Sequence, residues 1–397
     1  MNVLSSAKAA VQRALGAPLQ TPPPSPQAPL RCSQHHMPKG ALYDPMRWHP
    51  RLPVLLQQFS AHLLWLGCPE PKRQPPLHAK LTLILSCFEL GRCKVRVQVV
   101  QPRADADASL VVRMLQPSRR ALRILGQYAL LYGDAEDASL TPLALRGRQF
   151  GAIDVTPCMH FEALTDASQM AEVKALRYRV FKESALLKPE QQRPNDTEDE
   201  RDARSYIILG KFRHKLVASC RAYAMALDDA YEFDAWCQDT DALPPKDQCV
   251  ELGRAAIDVP FRGASIPLTL MRMLTAYTMQ SGRRYMVLGT TPALVPFYQS
   301  FGFEVTPIRF PYPGRSDFLA HVLVADLHQL WRGERGNPLI WYTLFGSLSE
   351  SCAKGFYAPH NRREMVRLGV LRSMGPVSRS VHQWLGLQRR LRRRVRN

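Results

Sequence analysis

Apolar and polar positions alternate in blocks whose spacing changes along the chain, and from Met159 onward the blocks are regular. Met159–Ala163 reads as a strand. Asp166 or Ser168 can cap a helix running to about Phe181, with Met170, Val173, Leu176 and Val180 along one face. A polar stretch rich in acids and proline, Lys188–Arg204, comes next. Strands are predicted at Tyr206–Leu209, Leu216–Met225 and Val250–Val259. Ser265 before it and Pro267 in its first turn mark the start of a helix, Pro267–Gln280. A strand at Tyr285–Gly289 leads to a short helix, Leu294–Phe301, which Gly302 ends. The last strands fall near Glu304–Ile308 and His321–Ala325. Strands and helices mixed at this spacing predict an α/β (α+β) fold over about 160–330, a mixed sheet flanked by helices.

The upstream pattern is less uniform. Val54, Leu55, Phe59, Leu63 and Leu64 have helical spacing, so Leu52–Leu66 is predicted as a helix. Lys94–Val100 alternates as a strand does, and Leu122–Leu131 reads as a helix. Thr21–Pro29 (TPPPSPQAP) is too proline-dense for helix or sheet and acts as a linker after a short helix, Val3–Leu15. The resulting division is 1–40, a basic, proline-rich segment; 41–155, an unidentified N-terminal domain; 156–335, the regular α/β region; and 336–397, a helical, Arg-rich extension. No repeat or catalytic motif marks 41–155, which reads as a packing or partner-binding domain.

Composition adds one unusual figure. In 397 residues, 46% hydrophobic and 22% charged is ordinary for a globular chain, but the formal net charge is +19. Residues 1–160 carry 19 basic and 9 acidic side chains, 161–357 carry 23 and 24, and 358–397 carry 11 and 1. The middle is neutral and the excess lies on the flanks, where like-charge blocks usually mark interaction tails. Nine cysteines without a CxxC pair or zinc-like Cys/His spacing argue against a disulfide framework or a metal site, and point to a reducing compartment. Met1–Gln20 has no continuous apolar core of a secretory signal, and no apolar run reaches the length of a membrane span. A cytoplasmic protein, peripheral at most to a membrane, is expected.

The chemistry-bearing residues cluster in the regular region. Pro260-Phe261-Arg262-Gly263, the helix after it, and Phe297-Tyr298-Gln299-Ser300-Phe301-Gly302-Phe303 resemble the core of the GNAT superfamily of N-acetyltransferases. Upstream stand Arg177-Tyr178-Arg179-Val180-Phe181, then Asp199-x-x-Asp202 followed by Tyr206, then Arg221, then Glu251-x-x-Arg254. This ordered set is similar to acyl-homoserine-lactone synthases and long-chain N-acyl amino acid synthases. The resemblance covers about 160–330. It implies a GNAT-like fold that joins an acyl thioester to an amine, with no bound cofactor and with acyl-carrier protein or acyl-CoA as co-substrate.

Amide formation needs a group to accept the amine's proton. Glu251, in an otherwise apolar strand, has the environment for that, either with a pKa raised by burial or held charged by Arg254. Side chains three apart in a strand face opposite sides, so a Glu251–Arg254 pair needs a bulge, for which Gly253 is the natural residue. The competing reading is a structural ion pair. Asp199 and Asp202 could equally belong to a solvated loop, and Arg177 to an exposed helix face. The resemblance makes all three substrate-binding. Arg221 follows a strand-like run, where a charge needs a partner, and a guanidinium can hold an acceptor carboxylate with two hydrogen bonds. Phe181 fits a core position or an acyl pocket. Tyr298 could protonate the departing thiolate or simply pack on the sheet. His160 and His214 lack a paired nucleophile or ligand and read as structural or surface residues.

The donor side departs from the family pattern. The phosphate-binding run reads Arg262-Gly263-Ala264-Ser265-Ile266-Pro267, and Pro267 has no N–H to offer a pyrophosphate. That shifts the balance toward a carrier-protein donor, although Pro267 is also simply a good helix start. Ile257, Val259, Arg262, Gly263 and Ser265 are the donor-binding candidates, with the pantetheine arm entering between Ile257–Val259 and Tyr285–Gly289 as an added strand.

The tail Ser380–Asn397 has a broken apolar stripe and six arginines from Arg389 on. An anionic membrane surface, an acidic carrier protein, nucleic acid or solvent could meet it. No helix-turn-helix or RNA-binding signature accompanies it, which places nucleic acid last of the three binding partners. The expectation is an N-acyltransferase acting on an amino acid or small amine. An acyl-homoserine-lactone-type synthase and a non-catalytic adaptor of the same shape are the alternatives.

Overall fold

The computed structural model describes residues 29–33, 36–44, 51–69, 75–101, 110–133, 140–151, 153–187, 192–237, 240–262, 265–312, 318–335, 338–345 and 362–373. They divide into two units. One holds the described residues up to His160 together with Val259–Ser265; the other holds Phe161–Asp258 and the described residues from Ile266 on.

The first unit contains β1 (Leu30–Arg31), β2 (Lys39–Tyr43), β3 (Leu52–Phe59), β4 (Leu63–Gly67), β5 (Lys80–Ser86), β6 (Arg92–Gln101) and β7 (Leu110–Leu115), then α1 (Arg119–Tyr132) and α2 (Pro142–Gly147). Strand order is β1-β3-β2-β5-β6-β7-β4, and β3 also pairs with β4. Strands β2 to β7 therefore close into an antiparallel barrel, which leaves no free edge around the ring. Leu56, Leu64, Leu66, Leu83, Leu85, Val97 and Val112 are wholly buried in it. The Ser118 side chain caps α1 by accepting the Ala121 N–H.

The helix expected over Leu52–Leu66 is instead the β3–β4 hairpin. Burial alternates at Leu52, Val54 and Leu56, and then a bulge between Leu56 and Gln58 inserts one residue, so Phe59 rather than Gln58 turns inward. The extra residue converts a period of two into a spacing that mimics a helix. Ser60 makes the turn, its hydroxyl accepting the Leu63 N–H at 2.9 Å.

The second sheet runs β13-β14-β12-β11-β10-β9-β8. Its strands are β8 (Met159–Ala163), β9 (Tyr206–Phe212), β10 (Lys215–Ala224), β11 (Cys249–Ile257), β12 (Tyr285–Thr290), β13 (Glu304–Pro311) and β14 (Leu319–Asp326). Helices α3 (Met170–Glu183), α4 (Ile266–Gln280), α5 (Val295–Ser300), α6 (Leu327–Trp331), α7 (Pro338–Phe345) and α8 (Arg362–Ser373) accompany it. This is the mixed sheet with flanking helices that the periodicity predicts. Val173, Leu176, Val180 and Phe181 of α3 pack on Ile207, Leu209, Leu216 and Ala256. Gly302 turns the chain after α5 at φ 90°, where a side chain would be strained and would also strike Leu330.

Two irregularities shape the sheet. β11 and β12 are parallel neighbours, and their ladder stops at Leu252–Leu288 although β11 runs on to Ile257 and β12 to Thr290. The strands therefore part beyond Leu252, before the Ile257–Val259 stretch expected to flank the gap; Val259 already lies in a 3-10 turn, Val259–Phe261. Beside the opening, β11 bulges. Ser219 pairs with Ala256 and Arg221 with Gly253, so Arg254 and Ala255 together oppose Cys220. Arg254, rather than Gly253, takes the left-handed backbone there, at φ 53°.

Among the described residues every cysteine is a free thiol, and no helix is long and apolar enough to cross a membrane. The helix expected over Val3–Leu15, Gly263 and the 380–397 tail lie outside the described residues.

Candidate active site

The bulge decides which side chains meet. It cancels the odd separation of Glu251 and Arg254, and Arg254 arrives on the face that carries Arg221 of β10, where both guanidinium groups reach Asp199 Oδ2 at 2.8 Å. Asp199 caps a 3-10 turn, Glu200–Arg204, by accepting the Arg201 N–H at 3.0 Å. Three residues on, Asp202 receives two parallel hydrogen bonds from Arg177 of α3, at 2.6 and 3.0 Å. Asp202 also lies 3.6 Å from Arg221. Arg177, expected on an exposed or substrate-facing surface, is wholly buried, as is Arg221.

Glu251 is 3% exposed. Its partner is Arg201, 2.8 Å from Oε2, and not Arg254 as the sequence spacing suggests. Its Oε1 accepts the Glu232 backbone N–H at 2.7 Å. The Glu232 carboxylate in turn bridges Arg221 and Arg254, at 2.8 Å each. Four guanidinium groups thus face four carboxylates, and the cluster is close to neutral, which is how so much charge can stay buried.

Glu232 and Arg201 escape the motif reading. The signal for Glu232 is the alternation Tyr231-Glu232-Phe233, two aromatics that turn inward and leave the acid on the opposite side. For Arg201, Asp199 and Asp202 both turn inward from a tight turn, which carries the intervening cation with them.

Burial pushes the Glu251 carboxyl up to about 7, with Glu232 adding to the rise and the Glu232 N–H, Arg201 and Arg221 opposing it. Burial acts in the same direction on Asp199, but Arg221, Arg254 and the Arg201 N–H overcome it and hold that carboxyl well below the usual range. Burial lowers the Arg221 pKa and is outweighed by Glu232 and Asp199, so the group stays charged. Two neighbouring carboxylates are therefore driven apart, one to hold its negative charge and one to exchange protons near neutrality.

Tyr298, on α5, is half-buried with edge-on contacts to Phe297 and Phe303 at centroid distances of 5.2 and 5.6 Å. Burial raises its phenol pKa and the Cys220 thiol adds to the rise. Cys220 alternates with Arg221 along β10, so Tyr298 approaches from the face opposite the arginine–acid cluster. Phe181 is packed in the α3–sheet core. Ile257 pairs with Ala218 at the end of β11. Val259, Arg262 and Ser265 belong to the first unit, where the Ser265 hydroxyl meets Asp154 and Thr156. His160 and His214 are exposed.

Residues 172–325 match the family described as N-acyl amino acid synthase FeeM. No curated protein matches the chain. Among solved structures, FeeM, an N-acyl amino acid synthase from uncultured soil microbes, is similar at 12% identity and TM-score 0.36, over 45% of this chain and 94% of that one. The AHL synthase LasI is similar at 19% identity and TM-score 0.36, over 51% and 98%. A putative acetyltransferase, yncA from Salmonella typhimurium, solved with acetyl-CoA, is similar at 13% identity and TM-score 0.33, over 43% and 94%. The segment match and the sheet described above fit an acyltransferase of the GNAT superfamily.

Proposed function

We propose that the protein is an N-acyltransferase that moves a medium or long acyl chain from acyl-carrier protein, or from acyl-CoA, to the amine of an amino acid or related small amine. The observation that carries this reading is Glu251, a buried carboxyl raised to about 7, one residue before the point where β11 and β12 part. A base poised near neutrality can take the proton an amine must lose before it attacks. The amine nitrogen then bonds to the thioester carbonyl carbon, the C–S bond breaks, and Tyr298, kept protonated by burial, donates its proton to the departing thiolate. Arg254, 16% exposed, is the cation an acceptor carboxylate can reach, while the buried Arg221 supports it through Asp199 and Glu232.

The donor loop supports a carrier-protein thioester. Pro267 offers no N–H, and the Ser265 hydroxyl is already engaged by an acid, Asp154, which is a poor neighbour for a pyrophosphate.

The location that fits this reading is the cytoplasm, with the Arg-rich 380–397 tail on the inner membrane face and 41–155 as a partner-binding domain. Helix α8 supports the membrane contact. Its Leu368 and Leu371 are buried, while Val366 and Val370 are 62% and 56% exposed beside Arg362, Arg363 and Arg367. Apolar side chains flanked by arginines suit an anionic lipid surface.

Purified protein supplied with acyl-carrier thioesters or acyl-CoA and mixed amino acids should form N-acyl products by mass spectrometry. Lactone products would redirect the reading to a homoserine-lactone synthase. Binding of carrier without product from any donor would favour the adaptor.

A further inference from the structure

The loop between β10 and β11 holds a residue that the ordered motif set does not contain. Tyr231 and Phe233 are each 2% exposed and stack at 4.9 Å between ring centroids, fixing the loop to the core on both sides of Glu232. Asp229 accepts the Ala226 N–H at 2.7 Å and the Tyr223 hydroxyl at 2.8 Å, and Asp234 accepts the Tyr231 N–H at 2.7 Å. Glu232 is therefore delivered to the cluster by a braced backbone.

We propose that Glu232 is the positioning residue of this site: its N–H fixes Glu251, and its carboxylate keeps Arg221 and Arg254 on the acidic side of the cluster and away from Glu251. This rests on the acyl-transfer reading above and adds a residue to it. The two oxygens of Glu251 have separate partners, the Glu232 N–H on Oε1 and Arg201 on Oε2, so the plane of the carboxyl is set from two directions. The Glu232 side chain occupies Nη2 of both Arg221 and Arg254. Without that carboxylate, Arg221 would act on Glu251 with one fewer counter-charge beside it and hold it ionised, which makes a poor base.

The charged and titratable groups around Glu251 come from three elements: Arg201 from the 3-10 turn, Arg221 and Tyr223 from β10, and Tyr231 and Glu232 from the loop. On β12, the residue in register with Glu251 is Val287, which carries no charge. Glu232 is the only other carboxylate in this set and accordingly raises the proton affinity of Glu251.

The test is the titration of Glu251 in the full-length protein, read by NMR of carboxyl-labelled glutamate and assigned with Glu251→Gln. In Glu232→Gln, which keeps the N–H and the volume but loses the charge, the Glu251 midpoint should fall by about one pH unit, in line with loss of one neighbouring charge. The acid limb of kcat/KM should move with it. Glu232→Asp, which keeps the charge, should hold the midpoint near that of the parent protein. An unmoved midpoint in a folded Glu232→Gln protein overturns the inference even if acyl transfer is present. Absence of any N-acyl product in the parent protein overturns the acyl-transfer reading, while the NMR midpoint still decides the role of Glu232 toward Glu251.

Discussion

Arg177 and Asp202 are joined by two hydrogen bonds, at 2.6 and 3.0 Å, with side-chain exposures of 0% and 4%. The pair links α3 to the turn that carries Asp199 and Arg201, so it fixes the floor of the cluster and faces no solvent. Removing one partner leaves the other charge buried, which typically costs about 3–5 kcal/mol.

Arg177→Met is therefore expected to destabilise the fold by that order, read as a loss in the urea midpoint. The double variant Arg177→Met/Asp202→Leu, which removes both charges, should recover most of the loss. A substrate-binding role for Arg177 would show the opposite pattern, with normal stability and a raised KM in the single variant.

Glu251 makes a prediction with a definite sign. An exposed carboxyl in the unfolded chain titrates near its ordinary value of 4.5, whereas the folded one is raised to about 7. Between those values the folded protein binds more protons than the unfolded chain, so stability falls as pH rises through that window and is lowest above 7. A shift of this size corresponds to roughly 3 kcal/mol. The parent protein should lose stability between pH 5 and pH 8, and Glu251→Gln should flatten that slope while abolishing most N-acyl product. Asp199 works the other way. Its carboxyl is held low by Arg221 and Arg254, so its contribution is present above 3.8 and is lost as pH falls. Urea midpoints across pH 3–8 for the two proteins check both slopes.

The α/β region was legible because its elements follow simple periods. Met159–Ala163 is a strand to the residue, and Gly302 ends α5 as its position after the apolar run suggests. The candidate cluster was legible as a set of residue types, since Asp199, Asp202, Arg221, Glu251 and Arg254 all converge. Its wiring was not. Which arginine meets Glu251 depends on the bulge at Arg254–Ala255 and on the turn that folds Arg201 inward, and neither leaves a periodic trace. The same limitation misplaced Leu52–Leu66, where one inserted residue changed the apparent period.

Gly289 sits on β12 just past the last β11–β12 pair, and a Cβ built there would lie 2.8 Å from the tip of the Phe310 ring. Phe310 stacks on Phe233 at 5.6 Å and cannot yield without disturbing the aromatic core. Gly289→Val should therefore cost about 1–3 kcal/mol from overpacking. Gly289 lies one residue past the last β11–β12 pair, so on the proposed reading donor turnover should fall by more than the stability loss explains. Single-turnover rates at saturating acceptor, compared with the thermal midpoint, separate the two effects. Unchanged turnover in a folded variant would show that the acyl donor does not pass this strand.

Helix α8 provides the last test, and its place in the fold distinguishes two acidic partners. On the proposed reading, a carrier protein would present its thioester where β11 and β12 part, at the Leu252–Leu288 end of the ladder. Leu371 of α8 lies against Gly333, just past α6; α6 follows Asp326, which pairs with Tyr285 at the start of β12. That is the opposite end of the strand, so the exposed Val366 and Val370 with their flanking arginines suit a lipid surface better than a carrier delivering substrate. Full-length protein should float with vesicles containing anionic phospholipid and not with neutral ones, and rising salt should weaken the interaction. Changing Arg362, Arg363 and Arg367 to Gln should reduce flotation severalfold, and Val366→Ser/Val370→Ser should reduce it without altering the salt response. Neither variant should affect product formation from a soluble donor. Flotation that survives both sets of changes would assign membrane contact to the remaining basic sequence. A selective loss of carrier-protein turnover in the arginine variant would assign α8 to the carrier instead.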